Sequence, residues 1–323
     1  MAVFTELSFD EAAEFIQRLS IGELTSLKGI ASGIENTNYF VDTTRGRYVL
    51  TLFERLTFEQ LPFYLLLMKH LAERGVPVPG PKADASGEIL LHLCGKPAAM
   101  VDRLRGSHRL APAADHCAQV GAMLARLHLA ARDYDRTQPN LRGLTWWAET
   151  VPVLLPFLDP GQRALIESEL TFQLHLGAAP DYIGLPRGPI HADLFRDNVM
   201  FETTAAGDVL RGFFDFYFAG VDAWLFDIAV CLNDWCIHLD SARLAEDRAE
   251  AFVRAYAAVR PLTGSEARLL PAMMRGAALR FWTSRLWDLH LPRDAAVLTA
   301  HDPGHFERVL RERVRTPWHC DLA

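Results

Sequence analysis

The sequence feature that most constrains this chain is the polar segment HADLFRDN at residues 191–198. Within it, Asp193 precedes Asn198 by five residues, and the apolar run Val199–Phe201 follows at once. A short apolar run after a polar loop indicates a buried strand. The segment therefore predicts a loop whose two polar ends, Asp193 and Asn198, face the same space, with a strand leading away from it.

A second acidic residue belongs to the same pattern. Residues Leu210–Phe214 indicate a strand that forms a hairpin with Val199–Phe201, and Asp215 follows immediately. We therefore expect Asp215 to emerge beside Asp193 and Asn198. A His-x-Asp triplet alone usually has a structural role, because its members satisfy each other's hydrogen bonds. The asparagine, the hairpin and the second aspartate together favour a functional interpretation.

These three side chains suit the transfer of a phosphoryl group to a hydroxyl. Such a reaction needs little covalent help, but the hydroxyl must be placed in line and its proton needs an acceptor, which Asp193 could provide. Charge on nucleotide phosphates must be offset, and Mg²⁺ prefers hard oxygen ligands such as those of Asn198 and Asp215. The combination predicts the catalytic loop of a kinase that uses ATP and Mg²⁺.

The chain changes character near residue 102, from strand patterns to helical ones. Before it, strands are expected near Leu24–Leu27, Asn38–Thr43, Arg47–Phe53, Ile89–Leu93 and Ala98–Val101, with one helix at Glu59–Glu73. After it, helices are expected at Ala113–Arg132, Leu144–Leu155, Pro160–Leu176, Asp222–His238, Ser241–Val259, Ser265–His290 and Gly304–Val314.

This division predicts the fold class. A chain of 323 residues exceeds the usual size of a single hydrophobic core. We expect an α+β fold with two lobes. Residues 1–102 would form a small β-rich lobe that covers the nucleotide, and residues 103–323 a large helical lobe for catalysis and substrate binding.

Composition and charge exclude several classes of protein. The net charge is −7 and no run of Lys or Arg interrupts it, which argues against a nucleic-acid partner. The five cysteines include no Cys-x-x-Cys pair, and a reduced cytoplasm is the simplest setting for them. No stretch approaches eighteen apolar residues, and the N-terminus lacks an export pattern, so neither membrane insertion nor secretion is expected.

The turn between the first two strands contains glycines that could approach a nucleotide. Residues 28–36, KGIASGIEN, include Gly29 and Gly33. Glycine lets backbone amides come close to phosphate oxygens. Most glycine turns between strands are only turns, so this feature alone is a weak indication.

Taken with these features, the chain resembles a known family over nearly its whole length. The resemblance rests on SGIENTNYF at 32–40, YVLTL at 48–52, HLAERG at 70–75, HADLFRDN at 191–198, DFYFA at 215–219, DIAVCLNDWC at 227–236 and GAALRFWTSRL at 276–286. It is similar to the aminoglycoside phosphotransferase-like branch of the protein-kinase-like fold, and within it to the homoserine kinases. The resemblance implies ATP-dependent phosphorylation of the side-chain hydroxyl of L-homoserine to O-phospho-L-homoserine, a step of threonine biosynthesis.

The resemblance also implies roles for individual residues. Asp193 would accept or orient the hydroxyl proton, Asn198 and Asp215 would hold Mg²⁺, and His191 and Asp227 would have structural roles around the catalytic loop. The expected ATP-binding residues are Ser32, Gly33, Asn36, Asn38, Asp102 and Leu104.

One departure concerns the cation that kinases place against the nucleotide phosphates. Thr51 occupies the position of the kinase lysine, and Tyr64 that of its glutamate partner. Loss of both is physically consistent, because either would be costly if buried alone. Arg55 and Lys69 are candidates to replace the lysine, although each taken singly is more typical of a solvated surface.

The substrate pocket is expected around the helix that carries Arg280. An arginine among so many apolar residues must be paired. It either forms an internal salt bridge with Asp234 or Asp288, or clamps the carboxylate of a bound amino acid. Arg285 and Tyr217 are further candidates for substrate binding, as is Asp234.

Two other functions remain compatible with the sequence. Another small-molecule kinase of the same fold, acting on choline, methylthioribose or an aminoglycoside, would keep every catalytic residue. A non-catalytic pseudokinase is suggested by the absent lysine, but such a protein has no need of both metal ligands. The sequence does not indicate the oligomeric state.

Overall fold

The computed structural model describes residues 5–30, 36–291 and 301–320. The chain divides into two compact units. The first comprises the described residues up to Arg105 together with Gly212–Phe214, and the second comprises the remaining described residues.

The first unit is a five-stranded antiparallel sheet with two helices. In chain order its elements are α1 (Phe9–Leu19), β1 (Leu24–Gly29), β2 (Asn36–Thr43), β3 (Arg47–Phe53), α2 (Pro62–Glu73), β4 (Leu91–Leu93) and β5 (Lys96–Asp102). The strand order is β1-β2-β3-β5-β4. The register places Asn38 opposite Thr51 on β3, and Thr51 opposite Ala99 on β5.

Helix α1 covers part of this sheet and was not predicted from the sequence. Its N-terminus is a capping box, in which the Ser8 hydroxyl accepts the Glu11 amide at 3.2 Å and the Glu11 carboxylate accepts the Ser8 amide at 2.9 Å. Phe15 and Ile16 from its apolar face join the core that contains Leu50. Burial of that face, rather than propensity alone, stabilises so short a helix.

The second unit is mainly helical. Its helices are α3 (Ala114–Ala130), α4 (Leu144–Leu154), α5 (Pro160–Gly177), α6 (Pro180–Ile183), α7 (Trp224–Trp235), α8 (Glu246–Val259), α9 (Gly264–His290) and α10 (Gly304–Arg315), with 3₁₀ turns at Leu155–Phe157 and Arg196–Asn198. Its short strands are β6 (Arg187–Ile190), β7 (Val199–Thr204), β8 (Gly207–Phe213) and β9 (Gly220–Ala223). Strand β7 forms a hairpin with β8, and β6 pairs with β9.

Helix α7 is the centre of this unit, since all twelve of its residues are buried. It packs against α9, and α9 packs against α10. On another side α3 packs closely on α8. Gly121 permits that approach, because a Cβ added there would lie 2.3 Å from the carbonyl oxygen of Phe252.

The predicted order of a β-rich part followed by a helical part is confirmed. Strands β6 and β9 were not predicted, and the helix expected from Asp222 begins at Trp224 because β9 occupies the preceding residues. The helix expected from Ser241 begins only at Glu246, after a tight turn in which Ala242 has a φ of 58°. Within the described ranges, no helix is long and apolar enough to span a lipid bilayer.

Candidate active site

The start of the loop after β6 is fixed by a buried carboxylate. Asp227 on α7 accepts the backbone amide of His191 at Oδ2 and that of Ala192 at Oδ1, both at 2.8 Å. These bonds hold Ala192 in the left-handed region, with a φ of 65°. A non-glycine residue keeps such a conformation only when its surroundings impose it. Asp227 therefore determines the path of the chain immediately before Asp193.

Asp227 is itself held by a buried histidine on α3. His128 approaches Asp227 Oδ2 through Nε2 at 3.1 Å and the Tyr256 hydroxyl on α8 through Nδ1 at 2.8 Å. Burial lowers the pKa of His128 and favours its neutral form, against the pull of Asp227. Burial opposes ionisation of Asp227 as well, but hydrogen bonds from His128 and from the His191 amide outweigh it and lower the pKa of Asp227.

Asp193 is a buried carboxyl group that lies among charges of both signs. Burial raises the pKa of its carboxyl to about 8; Arg280 opposes this shift, whereas the charges of Asp215 and Asp197 add to it. The carboxylates of Asp193 and Asp215 thus lie near enough to repel each other. The two residues that the sequence predicted to share one space are brought together in the second unit.

Asn198 is oriented by the same loop. Its amide nitrogen donates to the carbonyl oxygen of Asp193 at 2.8 Å, which leaves the amide oxygen as the group able to bind a cation. Asp215 has a left-handed φ of 66°, a conformation in which aspartate is enriched. An amide oxygen and a carboxylate are hard donors of the kind that a divalent cation prefers, and such a cation would offset the charge of Asp215, which adds to the effect of burial on the pKa of Asp193. The residues present therefore fit Mg²⁺.

Arg196 is a residue of this loop that the sequence analysis missed. Its backbone amide and its Nε both donate to Asp234 Oδ2, at 2.8 and 3.0 Å, its Nη2 donates to the Asp234 carbonyl oxygen, and its Nη1 donates to the Leu110 carbonyl at 2.8 Å. Both Arg196 and Asp234 are buried. A signal was available in the sequence, because Arg196 is a charged residue just after the apolar pair Leu194 and Phe195.

The loop is also held from beneath by two donors to one carbonyl. The Cys231 thiol and the Trp235 indole Nε1, both on α7, donate to the Leu194 carbonyl at 3.6 and 3.0 Å. Cys231 is fully buried, and burial raises its thiol pKa well above the usual range. Leu194 lies directly after Asp193, so the loop is anchored on both sides of the candidate base.

The predicted substrate-binding residues have distinct environments. Arg280 on α9 is 3% exposed, and burial lowers its pKa to about 10. Arg285, one turn further on, donates through Nη1 to the Asp302 carbonyl at 3.4 Å. Tyr217 is half-buried two residues after Asp215. One oxygen of Asp234 is occupied by Arg196, as described above.

The predicted nucleotide-binding residues belong to the first unit. Ser32 and Gly33 lie outside the described residues. Asn36 begins β2 opposite Phe53, and the Asn38 side-chain oxygen accepts the Thr51 hydroxyl at 2.7 Å. Thr51, which the sequence analysis aligned with the lysine of kinases, thus forms a hydrogen bond between the neighbouring strands β2 and β3.

The end of β5 has its own hydrogen bonds. The Asp102 amide donates to the Gly80 carbonyl at 3.1 Å, and Lys82 Nζ donates to the Asp102 carboxylate at 2.7 Å. The side chain of Leu104 lies against Gly212, where an added Cβ would come within 2.9 Å of it. In the same unit Lys96 pairs with Glu54, a residue that also accepts the Thr37 hydroxyl at 2.6 Å.

Comparison with known proteins shows which family the chain belongs to. Residues 26–262 match the model of the phosphotransferase enzyme family. A curated homoserine kinase from Polaromonas naphthalenivorans is 67% identical, over 98% of this chain and 99% of that protein. A homoserine kinase from Cupriavidus necator is 58% identical, over 97% of this chain and 96% of that protein.

Solved structures of more distant proteins share the fold. An amicoumacin kinase in complex with AMP-PNP and Ca²⁺ has a TM-score of 0.67 at 18% identity, with 96% of this chain and 95% of that chain covered. A choline kinase from Cryptosporidium parvum has a TM-score of 0.59 at 13% identity, with 90% and 88% covered. These likenesses confirm the predicted α+β, protein-kinase-like fold class.

Proposed function

The chain belongs to the phosphotransferase enzyme family and to its homoserine kinase group, and from this premise we propose that it phosphorylates the side-chain hydroxyl of L-homoserine with ATP. The products are O-phospho-L-homoserine, an intermediate of threonine biosynthesis, and ADP. The observation that carries the proposal is the 67% identity to a homoserine kinase over nearly the full length of both chains. That likeness extends beyond residue 262, where the broader family match ends.

Asp193 is the proposed base. The homoserine oxygen attacks the γ-phosphorus of ATP, the bond from that phosphorus to the oxygen of ADP breaks, and the hydroxyl proton passes to the Asp193 carboxylate. A carboxylate whose environment raises its proton affinity is a stronger base than an exposed aspartate. The bonds from Asp227 to the His191 and Ala192 amides support this role, because they fix the backbone that carries the base.

Asn198 and Asp215 are the proposed Mg²⁺ ligands. Mg²⁺ bound there with ATP would supply positive charge against the phosphate oxygens. Asn198 contributes an amide oxygen whose orientation is set by its bond to the Asp193 carbonyl. His191 and Asp227 position the loop rather than contact the reacting atoms.

The nucleotide is proposed to be bound by Ser32, Gly33, Asn36, Asn38, Asp102 and Leu104. Arg55 and Lys69 remain the candidates for the cation that contacts the phosphates in place of a lysine at Thr51. Arg55 is exposed and Lys69 is half-buried, so Lys69 has the better-defined surroundings of the two.

We place this reaction in the cytoplasm. Cys117, Cys231 and Cys236 are buried thiols that form no disulfide, which is typical of a reducing compartment. ATP and L-homoserine are the proposed small-molecule partners.

An ADP-release assay with a panel of alcohols tests the proposal. Purified protein with Mg-ATP is offered L-homoserine, choline, methylthioribose and an aminoglycoside at equal concentrations. We expect ADP release well above background with L-homoserine alone, and mass spectrometry should identify its O-phospho derivative. Turnover of choline, methylthioribose or the aminoglycoside but not of L-homoserine would contradict the substrate. Binding of Mg-ATP without turnover of any alcohol would contradict catalysis.

A further inference from the structure

The side chain of Arg280 is a buried cation with unused hydrogen-bond donors. It lies in the middle of α9 and is 3% exposed. Its Nε and Nη2 find no hydrogen-bond acceptor anywhere in the described part of the chain. An arginine cannot lose its charge in a protein, and a buried, unpaired guanidinium costs free energy. A fold that retains such a group without a partner of its own usually uses it for a ligand.

The internal ion pairs that the sequence suggested for Arg280 are not made. Asp234 is bound instead by Arg196, which donates to it through both Nε and the backbone amide. Asp288 acts on Arg280 only as a distant charge, since no hydrogen bond or ion pair joins the two. The remaining alternative from the sequence, that Arg280 clamps a substrate carboxylate, is thereby favoured.

Aromatic rings cover the faces of the Arg280 guanidinium, and one of its edges makes no hydrogen bond. Its Cζ lies 3.7 Å from the ring centroid of Phe281 and 5.0 Å from that of Phe218. Aromatic rings stabilise the cation but accept none of its in-plane N–H bonds. Nε and Nη2 lie on the same edge of the guanidinium plane. Two parallel N–H donors on one edge are what a carboxylate requires for a bidentate pair.

Arg280 also lies close enough to the proposed base, Asp193, for their charges to interact. Arg280 is the charge that acts most strongly on Asp193, and Asp193 is the charge that acts most strongly on Arg280. Yet the two groups form no ion pair with each other. A short molecule with a hydroxyl at one end and a carboxylate at the other could therefore reach both groups.

We propose that the Nε–Nη2 edge of Arg280 binds the α-carboxylate of the substrate and thereby selects an amino acid over an amino alcohol. This inference rests on the proposed homoserine kinase function, which it deepens by naming the residue that recognises the acid group. Arg285 is a weaker candidate, since it already donates to the Asp302 carbonyl and its Cζ lies 4.5 Å from the ring centroid of Phe306.

The test compares Arg280→Met with wild type on two substrates. L-homoserine carries the carboxylate, and 3-amino-1-propanol is the same molecule without it. We expect kcat/KM for L-homoserine to fall about 100- to 1,000-fold, mainly through KM, because one partner of a buried charge pair is lost. The kcat/KM for 3-amino-1-propanol should change less than about threefold, and the KM for ATP should stay within about twofold. Arg280→Lys should show an intermediate loss, since a point charge cannot reproduce the bidentate edge.

A thermal unfolding measurement separates recognition from a structural role. If Arg280 is retained for a ligand, methionine removes an unpaired buried charge, and the Tm of the ligand-free protein should be unchanged or raised. Arg268→Gln is the control on the same helix, because its exposed side chain pairs at the surface with Asp181 and Ser265 and with no other residue that the structure describes. It should match wild type in both assays.

Several outcomes would overturn the inference. An unchanged KM for L-homoserine in Arg280→Met would do so, as would a large fall in Tm or a raised KM for ATP. A selective loss of L-homoserine in Arg285→Gln, with Arg280→Met unaffected, would move the role to Arg285. If the wild type does not phosphorylate L-homoserine at all, the proposed function fails instead, and the two failures are thus distinguishable.

Discussion

At the scale of single residues, the candidate site depends on where each carboxylate finds its hydrogen bonds. Asp227 receives two backbone amides and His128, and Asp234 receives Arg196. Asp227 thus uses both of its carboxylate oxygens to hold the loop, and Asp234 uses one. Asp193, between these anchors, has a pKa that burial raises to about 8, which is consistent with its proposed role as the base.

Replacement of Asp193 by asparagine tests the base. The amide has nearly the same shape but cannot take up the hydroxyl proton. We expect kcat to fall by at least about 100-fold while the affinity for Mg-ATP changes less than about threefold. Steady-state assays and calorimetric titration with Mg-ATP measure the two quantities. Asp240→Asn at an exposed position is the matched control, and an Asp193→Asn variant that keeps the wild-type kcat, or that loses activity only through weaker ATP binding, would refute the assignment.

Much of the site at this scale was predictable from the sequence, and the missed part has a physical reason. Asp193, Asn198 and Asp215 could be proposed from the sequence because their side chains have few other uses at that spacing. Arg196 was overlooked because its partner, Asp234, lies 38 residues away on α7, and sequence spacing carries no information about such a pairing. The sequence could not show that Nε and Nη2 of Arg280 make no hydrogen bond, because only the structure shows that Asp234 binds Arg196 instead.

At the scale of elements, a chain of buried polar side chains connects four helices, α3, α7, α8 and α9, and reaches the proposed catalytic loop through Asp227. His128 on α3 bonds to Tyr256 on α8 and to Asp227 on α7. Arg260 then donates to Tyr256 at 3.2 Å and pairs with Glu266 at the start of α9. The helices are therefore joined by hydrogen bonds as well as by apolar packing.

This connection predicts an acid sensitivity of folding. The pKa of His128 is lower in the folded protein than its ordinary value of 6.5, so the unfolded chain binds a proton more readily. The stability that neutral His128 contributes is complete above about pH 6.5 and is lost as the pH falls toward the folded pKa. Asp227, with a lowered pKa, keeps its contribution until well below that range.

Urea unfolding at pH 7.5 and 5.5 measures the effect. We expect the free energy of unfolding of the wild type to fall from pH 7.5 to pH 5.5. That of His128→Gln should fall less, although the variant is less stable than the wild type at pH 7.5. His305, whose pKa burial lowers to about 4, acts in the same window and leaves the variant some dependence on pH. An equal loss in both proteins would show that His128 is not the group that titrates.

The packing of α3 on α8 gives a second prediction for elements. Gly121→Ala places a methyl group 2.3 Å from a backbone oxygen of α8, and a backbone cannot move aside as a side chain can. Alanine favours a helix over glycine by about 1 kcal/mol, but overpacking costs about 1–3 kcal/mol and should outweigh it. Denaturant unfolding should show a net loss. Gly264→Ala, which meets only the flexible tip of Arg268 at 3.3 Å, should be neutral or stabilising.

Elements were predicted best where one pattern dominated. The β3 boundaries, Arg47–Phe53, agree with the sequence analysis because the run is rich in β-branched and aromatic residues. The short strands β6 and β9 were missed, since Arg187–Ile190 contains a glycine and a proline and pairs only with Gly220–Ala223, 30 residues later. Their existence depends on that distant pairing.

At the scale of the whole molecule, the residues proposed for chemistry and the residue proposed for selectivity lie in different parts of the chain. The general family match ends at residue 262 and includes Asp193, Asn198 and Asp215. Arg280 lies beyond it, in the part shared with the homoserine kinases. The order of a β-rich region before a helical one was predictable from composition, whereas the division of labour along the chain needed the comparison with relatives.

Removal of the metal tests the enzyme as a whole. Mg-ATP at about 100 times its Kd should stabilise the folded protein by about 2.7 kcal/mol and raise the Tm by several degrees. ATP with EDTA should give a much smaller rise, because the phosphates then face the carboxylates without a cation between them. Asp215→Asn should reduce the difference between the two conditions. Equal shifts with and without Mg²⁺ would argue against the metal site.

The reactivity of the Cys231 thiol can report how often the proposed catalytic loop opens. The thiol lies on α7, fully buried, and donates to the Leu194 carbonyl, so a reagent can reach it only when the loop lifts or the protein opens. The alkylation rate of Cys231 would therefore report how often the loop or the protein opens. The exposed Cys94 would react without such an opening and serve as an internal reference for the reagent. A bound substrate that makes loop opening rarer would slow the alkylation of Cys231 and leave the alkylation of Cys94 unchanged.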